Sequence, residues 1–169
     1  MIYVSSACSS EQNIRESILE LINAGFRNIE LSGGTEYYKG LEHDLVELQY
    51  TFNLNYLCHN YFPPPKKHFV FNLASLNKEV NQKSFKHLEN AISLSKNLNA
   101  SKFGFHAGFF MDPEINELGK IISKKELINK EEAISSFVLN YRQLKRQNSQ
   151  VNLYIENNVL SSANYKTFN

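Results

Sequence analysis

The sequence holds only two cysteines, Cys8 and Cys58, and neither belongs to a CxxC pair. That excludes a disulfide framework and leaves reduced thiols, the pattern of a cytoplasmic protein. Charge of one sign is also missing. The 18 Lys and Arg residues almost cancel the 17 Asp and Glu residues, for a formal net charge of +1. Bulk electrostatics therefore give no argument for a nucleic-acid partner, although a local basic groove stays open. No run approaches the roughly 18 apolar residues of a membrane span, which predicts no membrane partner. Met1–Tyr3 leads straight into a candidate strand, and no basic segment precedes an apolar one, so no signal peptide is expected. Glycine-rich phosphate loops are absent as well. There is no P-loop, and the "SGG" at 32–34 does not have GxGxxG spacing.

What is present is alternation. Ile2–Ser5, Arg27–Leu31, Leu54–His59, Lys102–Ala107 and Val151–Glu156 read as five strands with two-residue periodicity. Between them lie helical stripes. Ile14, Ile18, Leu21 and Ile22 form the first, with Ser9 or Ser10 as the expected cap and Gly25 as the stop. Leu41, Leu45 and Leu48 form the second. The third covers about Lys83–Leu98, with Phe85, Leu88, Ile92 and Ser95 at helical spacing, and the fourth runs from Lys130 to about Gln147 through Ile134, Phe137, Tyr141 and Leu144. A short helix is also expected over Ile115–Ile122. Strand and helix in strict turn predict a parallel sheet with right-handed crossovers. One strand face is steadily apolar, while the other gathers polar residues toward the C-terminal end. That is the layout of a barrel with its site at the top; an open doubly wound sheet is the alternative.

Three strand ends carry possible metal ligands. "LNYLCHN" ends on His59, "KFGFHAG" carries His106, and "VNLYIENN" carries Glu156. His106 shares a strand face with Gly104, and its imidazole suits zinc or manganese; a histidine bonded to backbone is the structural alternative. Glu156 ends an apolar strand, where an unpaired acid is costly to bury; a solvent-facing carboxylate is the alternative. Glu30 points the same way at the end of the second strand, suited to orienting a ligand or to a hydrogen-bond network. The long loop after His59 holds Tyr61, Pro63-Pro64-Pro65, Lys66 and Lys67. Tyr61, with Tyr37, Tyr38 and Phe62, suits the wall of a sugar or nucleoside pocket, or simple loop packing. Lys66 and Lys67 suit the phosphate of a sugar phosphate or of DNA, or a solvated loop.

The segments "FRNIELSGG", "CHNYFPP", "FNLAS", "KFGFHAG" and "LYIENN" together resemble the xylose-isomerase-like TIM-barrel superfamily, with its sugar-phosphate isomerase/epimerase and deoxyribonuclease IV-type AP-endonuclease branches. The resemblance implies an α/β fold, a partial (β/α) TIM barrel of about five parallel strands. It implies a divalent metal, zinc or manganese, held by His59, His106 and Glu156, with Glu156 also assisting proton transfer. Glu30, Tyr61, Lys66 and Lys67 are then candidate substrate contacts. A complete barrel has eight strands in about 250 residues, against five in these 169. The expectation is one incomplete domain over 1–169, the N-terminal portion of an enzyme or a shortened form inactive alone. Metal binding by such a chain is expected to be weak or absent, and a second copy or a partner chain is expected to complete the barrel. The substrate implied is a small carbohydrate or sugar phosphate, with abasic DNA as the alternative; a non-catalytic scaffold is the third reading.

Overall fold

The computed structural model describes residues 1–117, 120–122, 127–157 and 164. Five strands, β1 (Val4–Ser5), β2 (Asn28–Leu31), β3 (Asn55–His59), β4 (Lys102–His106) and β5 (Asn152–Glu156), pair in parallel in the order β1-β2-β3-β4-β5. Four helices connect them: α1 (Ile14–Asn23), α2 (Leu41–Phe52), α3 (Lys78–Asn97) and α4 (Lys130–Gln147). Every strand lies beside its sequence neighbour, with no reversal of direction across the sheet. A doubly wound sheet needs such a reversal. The strand order is therefore that of a partial (β/α) barrel, as the sequence predicts.

Burial separates the two faces of the sheet. Ile29, Leu31, Tyr56, Cys58, Phe103 and Phe105 are buried against the helices, where Ile14, Ile18, Leu45, Leu48, Leu88 and Ile92 meet them. Asn28, Glu30, Leu57, His59 and His106 on the opposite face are only half-buried. Cys58 sits on the helix side, and burial pushes its thiol up to about 12, which suits a small core residue better than a ligand.

Several expected boundaries move, each for a local reason. The cap of α1 is Asn13, whose side chain accepts from the Arg15 N–H at 2.9 Å, while Ser9 turns to the Glu20 carboxylate. Gly25 does end the helix region: at φ +92° it lets its own N–H reach the Ile22 carbonyl and that of Phe26 reach Leu21. Asn77 caps α3, which begins five residues before its expected start, whereas α4, capped by Asn129, begins at Lys130 as expected. β1 shortens to two residues, leaving Met1 and Ile2 exposed. In α4 the buried positions are Ala133 and Leu144, while Ile134 faces outward at 47% exposure. Of the short helix expected at Ile115–Ile122, the structure holds one tight turn over Ile115–Glu117; residues 118 and 119 lie outside the described residues.

Candidate metal centre

Register positions the site. His59 on β3 stands opposite Gly104 on β4, which stands opposite Tyr154 on β5; one row further, His106 stands opposite Glu156. Neighbouring parallel strands lie about 4.8 Å apart, so His59 and Glu156 are separated by a whole strand. Gly104 removes that obstacle. A Cβ at this position would collide with Glu156 Oε1 and sit 2.6 Å from Tyr154 Cε2. The carboxylate thus lies across the bare backbone of β4 and reaches His59, Oε2 to Nε2, at 2.6 Å.

The ligand atoms of His59, His106 and Glu156 all fall within 4.8 Å of one another. The two imidazoles meet edge to face, ring centroids 5.7 Å apart. His106 Nδ1 lies 3.4 Å from the Glu156 carbonyl oxygen, which can only accept. The proton therefore sits on Nδ1 in the neutral ring, leaving Nε2 as the free lone pair. The donor set of two imidazoles and a carboxylate is that of three-ligand zinc sites with an open fourth position. The observed 2.6 Å is a hydrogen-bond separation. Two ligands on one zinc, each about 2.0–2.1 Å from it in tetrahedral geometry, sit about 3.3 Å apart. The pair opens by a fraction of an ångström to take an ion, which a half-exposed glutamate can supply. A second group, His43, Asp44 and Glu47, lies on the outer surface of α2. There Asp44 accepts from the Tyr38 hydroxyl and Glu47 pairs with Arg15, so its carboxylates are already engaged.

The remaining sequence candidates divide. Glu30 accepts from Ser32 Oγ at 3.2 Å, and Ser32 Oγ in turn accepts from Ser5 Oγ at 2.9 Å, a polar chain across the tops of β1 and β2. It also faces the metal-candidate rows: the carboxylates of Glu156 and Glu30, after burial itself, raise the Tyr154 phenol above its ordinary value. Tyr61 is anchored. Its hydroxyl accepts from the Phe69 N–H at 2.9 Å, and its ring stacks on His68. It lines a 330 Å³ cavity with Phe71, His106 and Phe109. Asn60 borders the same cavity, and its buried Oδ1 has no partner among the described residues. Lys66 and Lys67 are not brought to this group; they line a different cleft, between α2 and α3.

Sequence reasoning missed Asn72, the asparagine of "FNLAS". Fully buried, its amide donates to the Phe109 and Met111 carbonyls and to Asp112 Oδ1 at 2.8 Å, and its oxygen accepts from the N–H groups of Ala74 and Phe109. Ser75 adds a 2.7 Å bond to Asp112. One side chain thereby fastens the β3–α3 loop to the turn after His106. Gly108, at φ +116°, makes room for it, since a Cβ there would strike Asn72 Oδ1. The sequence marks "FNLAS" as a motif, but an Asn and a Ser ahead of a capped helix are too common to point to this role.

No known family profile matches the sequence, and no curated protein does. Solved structures do. A D-tagatose 3-epimerase-like protein superposes with a TM-score of 0.68 at 18% identity, over 94% of this chain and 53% of that one. A D-psicose 3-epimerase from Clostridium cellulolyticum, solved with D-tagatose, gives 0.59 at 14% identity, over 91% and 49%. Endonuclease IV from Thermus thermophilus gives 0.52 at 13% identity, over 96% and 52%. The chain spans about half the length of these proteins. Strand order, register and superposition together give it a (β/α)-barrel-like fold related to that of the sugar epimerases and endonuclease IV.

Proposed function

We propose that this chain carries part of a metal-dependent site of the sugar isomerase/epimerase type, with His59, His106 and Glu156 as ligands of zinc or manganese. The observation that carries the reading is the meeting of these three ligand atoms within 4.8 Å at the C-terminal ends of consecutive parallel strands. A divalent ion there would supply Lewis acidity toward a carbonyl or hydroxyl oxygen. The protein's own groups do the rest. In this reading Glu156 takes or returns a proton beside the reacting carbon. The Asn60 oxygen, unpaired among the described residues, and the Tyr61 wall border the cavity next to His106, with room for a small polyhydroxylated molecule. In this reading Glu30, which accepts from Ser32 Oγ, is a substrate contact from β2.

A second reading, a phosphodiesterase acting on abasic DNA, is favoured by the pairing of two imidazoles with one carboxylate, a set suited to activating water for attack on phosphate. Because the chain spans about half of the structures it matches, the isolated protein is expected to bind metal weakly and to turn over neither substrate as a monomer. Calorimetric zinc titration tests the site: one weak site, lost in both His106→Ala and Glu156→Gln, is expected. Binding that survives both substitutions would remove the triad from the reading. With zinc present, NMR line broadening of a ketose, lost in Glu156→Gln, supports the sugar reading; broadening of an abasic duplex instead supports the second.

A further inference from the structure

The cleft that holds Lys66 and Lys67 has a volume of about 840 Å³ and shares only Phe69 with the cavity beside His106. Its walls are α2, α3 and the proline-bearing loop. Lys66 and Lys67 from the loop, and Lys83 and Lys86 from α3, all line it, against one acid, Glu42, among the described residues. Four cations in one cleft stand out in a chain whose net charge is +1. Lys86 is paired with Glu89 at 3.2 Å, but Lys66, Lys67 and Lys83 have no carboxylate within 4.0 Å among the described residues. Two of these amines are held over aromatic rings of the same cleft. Lys66 Nζ lies 5.1 Å from the Tyr37 ring centroid and Lys83 Nζ 4.4 Å from that of Phe69. The buried side of the cleft is His87, 7% exposed, whose Nε2 has no hydrogen-bond partner among the described residues. Buried polar atoms left unpaired are rare, and a ligand group is one way of pairing them.

We infer that this cleft binds a phosphate-bearing small molecule of nucleotide size, its phosphates among Lys66, Lys67 and Lys83 and its flat ring against Tyr37. Lysines are point charges with rotatable donors and suit several phosphate oxygens at once. The volume falls within the range of small-molecule sites and exceeds what a bare anion fills. The inference is independent of the metal-site reading, since the two clefts share only Phe69 and neither Lys66, Lys67, Lys83 nor Tyr37 lines the cavity beside His106.

Calorimetry at low ionic strength on chelator-treated protein tests it, with adenosine diphosphate, pyrophosphate and adenosine as probes. Adenosine diphosphate should bind more tightly than pyrophosphate, and adenosine should not bind measurably. The double substitution Lys66→Ala, Lys67→Ala should weaken adenosine diphosphate about tenfold or more, and Lys83→Glu should abolish its binding. Lys145→Ala, an exposed lysine on α4, should leave it unchanged, with circular dichroism confirming that each variant is folded. Absence of binding at millimolar probe, or equal weakening by Lys145→Ala, would overturn the site. Pyrophosphate binding as tightly as adenosine diphosphate would overturn the placement of the ring on Tyr37.

Discussion

Gly104 offers no side chain, yet the geometry of the candidate metal centre depends on it, because Glu156 and Tyr154 occupy the space a Cβ would need. Gly104→Ala is expected to destabilise the fold by about 1–3 kcal/mol, the cost of overpacking, and to separate His59 from Glu156. Urea unfolding checks the first effect. Loss of zinc binding with all three ligands still in the sequence checks the second. His87 gives a prediction in pH. Its burial lowers the pKa from 6.5 to about 4. The unfolded chain therefore binds more protons between those values, and stability rises with pH across that window. The contribution is fully present above pH 6.5 and is lost as pH falls through the folded value near 4. Its size is about 3 kcal/mol by the usual conversion of pKa difference into free energy. His87→Phe should flatten the urea midpoint between pH 4 and 6.5; an unchanged slope would assign the acid sensitivity to other groups.

At the scale of elements, one amide connects two loops. Asn72→Ala removes the bonds to Phe109, Met111, Asp112 and Ala74 and leaves buried backbone groups without partners. A loss of about 3 kcal/mol is expected from several such bonds, read as a lower thermal midpoint. Faster hydrogen exchange should accompany it at the Ala74 and Phe109 amides. The elements themselves were legible because each strand alternates strictly. Tyr56 and Cys58 pack inward while Leu57 and His59 point to the other face, as spacing alone predicts. Strand ends were legible for the same reason, which placed His59, His106 and Glu156 together. Helix starts were legible for α4, which begins at Lys130 as expected, but not for α1 and α3. At α1 and α3 the caps Asn13 and Asn77 compete with nearby serines, and the choice is made by where the helix packs. Nor was the direction taken by Lys66 and Lys67 legible, because a proline-bearing loop has no periodicity to say which way it folds back. Tertiary bonds as remote as Asn72 to Met111 leave no local pattern at all.

At the scale of the whole molecule, the sheet formed by the described residues has β1 and β5 at its two edges. β1 has only two residues and presents little backbone, whereas β5 has five and carries Tyr154 and Ile155 at 38% and 48% exposure. Ile155 shares a strand face with the buried Val151 and Leu153, yet it is exposed. Long apolar edges invite pairing with another chain. The protein is expected to self-associate in light scattering, and Ile155→Lys should shift it toward monomer. The bond from His59 to Glu156 has a further consequence, in time rather than in space. It joins residues 97 positions apart and exists only after β3, β4 and β5 have come into register. Contacts of such long sequence separation are slow to form and come late. An ion held at this point would stabilise the native state without helping the transition state that precedes it. Zinc should therefore slow unfolding in stopped-flow measurements and leave the refolding rate unchanged. The metal centre would then act as a latch, setting how long the three strands stay engaged rather than how quickly they find each other.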